Sequence, residues 1–114
     1  MPFIGTQVNF SLSGEQKENL KRRWDKAITL LPGKSAQWLM AGFEDQVSLH
    51  FQGDESSPAA FVEVKIYGGV DAAASGRLTA AITEALQEEC GIAPNRIYVA
   101  YQGTENWGWN GRNF

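Results

Sequence analysis

The chain has 114 residues, of which 43% are hydrophobic and 20% are charged, as expected for one soluble domain with a modest core. A formal net charge of −3 without a basic stripe gives no reason to expect nucleic acid as a partner, and no apolar run reaches the ~18–20 residues that a membrane span needs. The single cysteine, Cys90, excludes an internal disulfide and any Cys-x-x-Cys redox or zinc motif.

The first elements along the chain are a predicted strand over residues 3–9 and a predicted helix behind it. Ser13 and Gln16 have the spacing of a capping box, in which each side chain covers a backbone donor of the first helical turn. Pro32-Gly33 is a helix-ending signal. The apolar stripe of this helix consists of Leu20, Trp24, Ala27, Ile28 and Leu31.

Two more strands are predicted before the middle of the chain, over residues 37–43 and 46–51. The second of them rests on the clean alternation of Val47, Leu49 and Phe51 with polar neighbours. A polar loop over residues 52–58 then separates the two halves.

The second half repeats the plan of the first. Residues 61–67 form a predicted strand, Asp71 caps a helix that runs to about Glu89, and residues 97–102 form the partner strand. The pair Asn110-Gly111 is a tight-turn signal within a short terminal ribbon.

Residues 2–44 and 60–102 are two copies of one apolar pattern, set 58 positions apart. Each copy joins two strands through a helix, and this crossover sets the strands parallel with the helix on one face. We therefore predict a single α+β domain over 1–114, with a duplicated β-α-β unit, a four-stranded mixed sheet and both helices on one face. The opposite face would expose Phe61 and Tyr67, which favours oligomerisation through that face and the sheet edges.

Motifs spread over almost the whole chain resemble the tautomerase superfamily, in particular its macrophage migration inhibitory factor and D-dopachrome tautomerase branch. They are Pro2 after Met1, Gly33-Lys34 behind the first helix, the run 93–98 (APNRIY), and the terminus 107–114 (WGWNGRNF). The resemblance implies a tautomerase fold, a homotrimer and active sites at subunit interfaces.

Pro2 is the catalytic residue that the resemblance implies, provided that Met1 is removed. The proline at the new chain start is then a secondary amine. Burial and the positive charge of nearby Lys34 would lower its pKa from the value of about 7.7–8.0 that is usual for an α-amino group. The neutral amine could take a proton from the carbon beside a ketone and return it elsewhere. With Met1 retained, the nitrogen is an amide without useful basicity. The alternative role of Pro2 is to mark the start of a strand.

Lys34 corresponds to the family's substrate-carboxylate binder, and its ammonium could hold a 2-keto acid. Its alternative role is that of a surface lysine near a helix C-terminus. Tyr67 stands where the family usually has isoleucine, at a position that contributes mainly its backbone amide to the substrate.

The remaining implied pocket residues are aromatic. Tyr98 matches a tyrosine that reaches the pocket from the neighbouring subunit. Its alternative role is that of an aromatic strand residue in the core. Trp107 and Trp109 are apolar walls for an aromatic substrate, with interface packing as their alternative. Ala100 departs from the cytokine branch, where an asparagine helps to bind the substrate, so affinity for a hydroxylated phenylpyruvate is in question.

Other chemistries are not expected. Ala59 and Val62 replace the vertebrate cytokine's Cys-x-x-Cys, so its thiol-oxidoreductase activity is excluded. His50 has no partner triad and is expected to be structural or at the surface, while Cys90 is expected to be a small buried hydrophobe. No ligand cluster indicates a metal, and no cofactor is expected.

The leading hypothesis is a cofactor-independent keto–enol tautomerase of phenylpyruvate-like 2-keto acids, cytoplasmic because no classical signal peptide is present. The first alternative is a secreted cytokine mimic with a receptor partner and a vestigial pocket, since the family can leave cells without a signal peptide. The second is another superfamily reaction, on a muconate-type dienol or a haloacrylate, although the arginine pair typical of those enzymes is not evident.

Overall fold

Four strands form one mixed sheet in the computed structural model, which describes residues 1–114. The strands are β1 (Pro2–Val8), β2 (Met40–Glu44), β3 (Ala60–Tyr67) and β4 (Ile97–Thr104). Their order is β2-β1-β3-β4, with β1 parallel to β2, β3 parallel to β4, and β1 antiparallel to β3. The duplicated β-α-β unit predicted from the repeat is confirmed, and the two units meet at the antiparallel pair.

Two helices cover one face of this sheet, α1 (Gly14–Ala27) and α2 (Ala72–Cys90). The capping box at the start of α1 is confirmed, because Ser13 accepts from the Gln16 N–H and the Gln16 side chain accepts from the Ser13 N–H. Asp71 caps α2 through the Ala74 N–H at 2.8 Å. Neither helix is long and apolar enough to cross a membrane.

The core lies between the sheet and the helices. Val62, Val64 and Ile66 of β3 point inward at alternate positions, as predicted. The helices contribute Leu20, Trp24, Leu78, Ile82 and Leu86, all completely buried. The same apolar positions of the β-α-β unit are therefore buried in both copies of the repeat.

The predicted strand over residues 46–51 is wrong. Val47 donates its N–H to the Val8 carbonyl at 3.0 Å, just beyond the pairing of β1, and the segment ends in an isolated bridge between Phe51 and Asp54. The alternation of half-buried and exposed side chains is present from Val47 to Phe51, but a strand also needs a neighbouring strand to bond with, and the segment has none within the chain.

The second predicted strand, residues 37–43, begins later than expected. Ala36–Trp38 forms a short 3₁₀ turn instead, and β2 starts at Met40. The first helix also ends earlier than expected. The α-helix stops at Ala27, and Ile28–Leu30 forms a 3₁₀ turn directly after it. A final ribbon pairs β5 (Gly108–Trp109) with β6 (Arg112–Asn113) around the predicted Asn110-Gly111 turn, where both φ angles are positive.

The sheet face opposite the helices is uncovered in the single chain. Glu63 and Lys65 are exposed on it, and Lys65 Nζ lies 3.5 Å from the Glu63 carboxylate. The ring of Phe3 lies across Gly5, where a Cβ would approach the ring to 2.8 Å.

Candidate active site

The start of the chain, the 3₁₀ turn at Ala36–Trp38 and the terminal ribbon line an open cavity of about 540 Å³. Its volume lies within the range usual for small-molecule sites. Most of the side chains in its wall are apolar. The lining residues are Met1, Pro2, Phe3, Gln37, Trp38, Leu39, Met40, Trp107, Gly108 and Trp109.

Pro2 opens β1 and is buried in the floor of this cavity, opposite Ile66 of β3. A proline is tolerated at the first residue of a strand because it has no N–H to donate to the ladder. Met1 precedes it, and the Met1 carbonyl accepts a hydrogen bond from the Tyr67 N–H at 3.1 Å. Burial, and secondarily the charge of Lys34, lower the pKa of the Met1 amino group below its usual value.

Lys34 follows Gly33, whose φ of +73° lets the chain reverse after the first helix. The Lys34 ammonium donates a hydrogen bond to the backbone carbonyl of Tyr67 at 2.8 Å. Lys34 and Tyr67 line a second cavity of about 300 Å³. Tyr67 links the two cavities, because its N–H contacts Met1 and its carbonyl contacts Lys34.

Trp38 is a cavity residue that the sequence analysis missed. Its ring packs edge-to-face on Trp109, with ring centroids 5.1 Å apart and planes 86° apart. Both indoles are substantially exposed, at 41% and 50%. The only signal in the sequence is that Trp38 lies four residues after Lys34, within a segment that reads as a strand.

The terminal ribbon places Trp107 and Trp109 in the same cavity as Pro2. The last residue of the ribbon, Phe114, packs edge-to-face on Tyr67 with centroids 5.2 Å apart. Its N–H donates to the Trp107 carbonyl at 3.1 Å. The terminal segment thus lines the Trp-walled cavity and also packs against Tyr67.

Tyr98 lies outside the Pro2 cavity. Tyr98 lies near the start of β4 and pairs with Phe61 of β3. Tyr67, at the end of β3, pairs with Thr104 of β4. About six residues, or ~20 Å of strand, therefore separate Tyr98 from Tyr67. With 58% of its surface exposed, Tyr98 is not a core aromatic. Its ring packs edge-to-face on Phe51 at 5.0 Å, beside a small apolar cavity of about 120 Å³.

Arg96 is a structural residue that the sequence analysis did not single out. Its guanidinium donates four hydrogen bonds, of 3.0–3.3 Å, to backbone carbonyls of the loop between the two halves. The acceptors are Phe51, Asp54, Ser57 and Pro58. A single side chain therefore fixes the connection between the repeats.

The single histidine and the single cysteine stand apart from this cavity. His50 is exposed and lies 3.1 Å from the Glu55 carboxylate, which agrees with the predicted surface role. Cys90 ends α2 half-buried, and burial raises the pKa of its thiol.

Comparisons with known proteins agree with this fold. The chain matches the family model described as macrophage migration inhibitory factor (MIF) over residues 1–114. The crystal structure of Leishmania major MIF2 is 37% identical, superposes with a TM-score of 0.93, and matches 100% of this chain and 97% of that one. The migration inhibitory factor homologue from Prochlorococcus marinus is 26% identical, with a TM-score of 0.86 and 98% coverage of each chain.

A third structure, of Pt0534 inactivated by 2-oxo-3-pentynoate, is 19% identical with a TM-score of 0.86, and covers 97% of this chain and 95% of that one. At this identity the likeness concerns the fold alone. No curated protein sequence matches the chain significantly.

Proposed function

This chain belongs to the macrophage migration inhibitory factor family, and from that premise we propose that it is a cofactor-independent keto–enol tautomerase of 2-keto acids. The acid–base is the amine of Pro2, freed by removal of Met1. The observation that carries the proposal is the set of groups around the chain start: a buried Pro2, the Lys34 ammonium and the Tyr67 backbone beside an aromatic-walled cavity.

The basicity of Pro2 follows from its surroundings. Burial and the Lys34 charge lower the pKa of the Met1 amine. We expect both influences to act in the same direction on the Pro2 amine once Met1 is removed. A neutral secondary amine at physiological pH can remove a proton from C3 of a 2-keto acid. The C3–H electron pair then forms the C2–C3 double bond, and the C=O π electrons move to the keto oxygen as an enolate. Water protonates the enolate, and the resulting hydroxide takes the proton from the Pro2 ammonium, which restores the neutral amine.

Removal of Met1 has a second consequence, at Tyr67. While Met1 is present, the Tyr67 N–H donates to the Met1 carbonyl. Removal of Met1 therefore leaves this backbone donor free beside Pro2. Lys34 uses one donor on the Tyr67 carbonyl and has two more. These groups could hold the substrate carboxylate and stabilise charge on the keto oxygen.

We also propose a homotrimer in which Tyr98 completes the active site of a neighbouring subunit. Two features support this proposal: Tyr98 is 58% exposed although aromatic, and the sheet face that carries it is uncovered in the single chain. A site built from two copies explains why Tyr98 lies far from Pro2 within one chain.

The experiment is ketonisation of enolphenylpyruvate by purified protein whose intact mass lacks one methionine. Pro2→Ala also permits removal of Met1 but replaces the secondary amine, and we expect a loss of at least about 100-fold in kcat/KM. Leu30→Ala, on the helix side of the chain, is the control and should retain the wild-type rate. Equal rates for wild type and Pro2→Ala would refute the proposal.

A further inference from the structure

Phe51 is the aromatic side chain that contacts the ring of Tyr98. The two rings meet edge-to-face, with centroids 5.0 Å apart and planes 77° apart. Tyr98 lies on β4, at the edge of the sheet, so a neighbouring strand flanks it on one side only. The next residue on the same face of β4, Ala100, offers only a methyl group. The contact with Phe51 is therefore a main restraint on the direction of this exposed ring.

The backbone around Phe51 forms a tight turn. The Phe51 N–H donates to the Asp54 carbonyl at 3.0 Å, and the Asp54 N–H donates back to the Phe51 carbonyl at 3.1 Å. Between them, Gln52 and Gly53 have φ angles of +53° and +74°, as in a two-residue turn whose central residues are both left-handed. This turn fixes the position from which the Phe51 side chain reaches Tyr98.

Arg96 also holds Phe51, through both its backbone and its ring. The Arg96 guanidinium donates from Nη1 to the Phe51 carbonyl at 3.2 Å. Its central carbon lies 5.6 Å from the centroid of the Phe51 ring, within the range of a cation–π contact. Arg96 precedes Tyr98 by two residues, so the side chain that holds Phe51 and the ring that Phe51 supports belong to one short segment.

A small apolar cavity of about 120 Å³ adjoins these side chains. Its walls include Phe51, Arg96, Tyr98 and Phe61, the residue that pairs with Tyr98 on β3. A smaller residue at position 51 would enlarge this space, and neighbouring side chains move into such a space where they can. The size and shape of residue 51 therefore decide whether the Tyr98 ring keeps one direction.

We propose that Phe51, held by Arg96, is a positioning residue for Tyr98 and that it affects the reaction only through that ring. The inference rests on the proposed function, in which Tyr98 completes the active site of a neighbouring subunit. The direction of the ring there sets how well it contacts the substrate. Loss of the Phe51 ring therefore weakens substrate binding without removing any group that contacts the substrate.

Fluorine NMR of protein that carries 3-fluorotyrosine tests the contact itself. The chain has three tyrosines, and the Tyr98 resonance is the one that Tyr98→Phe removes. Phe51→Leu keeps an apolar side chain without the ring and should shift this resonance alone. Arg96→Lys keeps the charge but not the planar fork, and should shift it too, because Phe51 is then held less firmly. Phe10→Leu is the matched control: Phe10 is also half-buried but packs against the main core, so the Tyr98 resonance should stay in place.

A double-mutant cycle on ketonisation of enolphenylpyruvate by the mature protein tests the kinetic role. Phe51→Leu should raise KM about three- to tenfold, as expected for loss of one aromatic contact, with kcat within about twofold. In a Tyr98→Ala background the same change should alter KM by less than about twofold, because the ring that Phe51 positions is gone. Phe51→Tyr keeps an aromatic ring and should stay within about twofold of wild type.

Two results would overturn the inference: a Tyr98 resonance that Phe51→Leu does not move, or equal effects of Phe51→Leu on KM in both backgrounds. Urea unfolding of Phe51→Leu and Phe10→Leu shows that both variants are folded. Failure of the proposed function has a different signature, since Tyr98→Ala would then keep the wild-type KM. That result would remove the kinetic role of Phe51, whereas the fluorine resonance reports the contact between the two rings without any activity.

Discussion

The Lys34 ammonium donates a 2.8 Å hydrogen bond to the backbone carbonyl of Tyr67. Lys34 follows the first helix and Tyr67 ends the first strand of the second repeat, so one bond joins the two halves at the proposed site. The Tyr67 N–H is bonded to Met1, which places the chain start at the same junction. The proposed site therefore combines residues from the ends of elements in both repeats, and neither repeat contains all of them.

We expect Lys34→Met to raise KM for phenylpyruvate by at least about tenfold, with a smaller effect on kcat, because it removes a charge-assisted bond to the substrate carboxylate. Steady-state kinetics on the mature protein measures the change. Lys26→Met, in the last turn of α1, is the matched control. An unchanged KM would remove Lys34 from substrate binding.

The N-terminal amine gives a prediction on pH. In protein that retains Met1, the folded pKa of this amine lies below its unfolded value of about 7.7–8.0. Between the two pKa values the unfolded chain binds more protons, so the free energy of unfolding should fall as pH decreases through that window and level off below the folded pKa. Urea unfolding at a series of pH values measures this slope.

A pH titration followed by NMR tests the contribution of Lys34 to the lowered pKa of the Met1 amine. Lys34→Met removes a positive charge that lowers the amine pKa, so the NMR-detected midpoint of the Met1 amine should rise. Lys26→Met should leave the midpoint where it is. A midpoint that does not respond to Lys34→Met would show that burial alone causes the shift.

Arg96→Met should lower the free energy of unfolding by about 2–4 kcal/mol, because it leaves four loop carbonyls without their charged donor. The side chain of Arg96 is only 12% exposed, so water cannot easily replace it. Arg22→Met, on the exposed surface of α1, should stay within about 0.5 kcal/mol. Similar urea midpoints for the two variants would contradict the anchoring role.

Gly103→Ala should be destabilising by about 1–3 kcal/mol, because a Cβ there would lie 2.3 Å from the Gly68 carbonyl oxygen. Gly76→Ala is the opposite case: Gly76 is exposed within α2 and a Cβ meets nothing within 4 Å. It should stabilise by about 0.5–1 kcal/mol through helix propensity. Thermal unfolding compares the two, and a stable Gly103→Ala would mean that the turn at Gly68 can move.

Thr6→Val should raise the free energy of unfolding by about 1 kcal/mol, because the Thr6 hydroxyl is buried and makes no hydrogen bond within the chain. Thr79→Val makes the same change where the hydroxyl bonds Tyr101 Oη at 2.8 Å, and should lower it by a similar amount. If both variants lose stability, the Thr6 hydroxyl has a partner, such as an internal water.

The local elements were predictable because their signals are short-range. Ser13 with Gln16, and Asp71, mark helix starts through bonds within one turn, and the alternation of Val62, Val64 and Ile66 marks a buried strand face. The repeat then predicted the pairing of strands, since a β-α-β crossover has one favoured geometry. Family motifs added Pro2, Lys34, Trp107 and Trp109 to the expected site.

Tertiary structure decided the contacts that no periodicity reports. Residues 46–51 have the alternation of a strand but no partner within the chain, and Trp38 reads as part of a strand although it forms the wall of a cavity. The contacts of Tyr67 with Met1 and Lys34, and those of Arg96 with its loop, join residues 33 to 66 positions apart. A sequence pattern specifies which face of an element is buried, whereas these contacts depend on how the ends of packed elements meet in space.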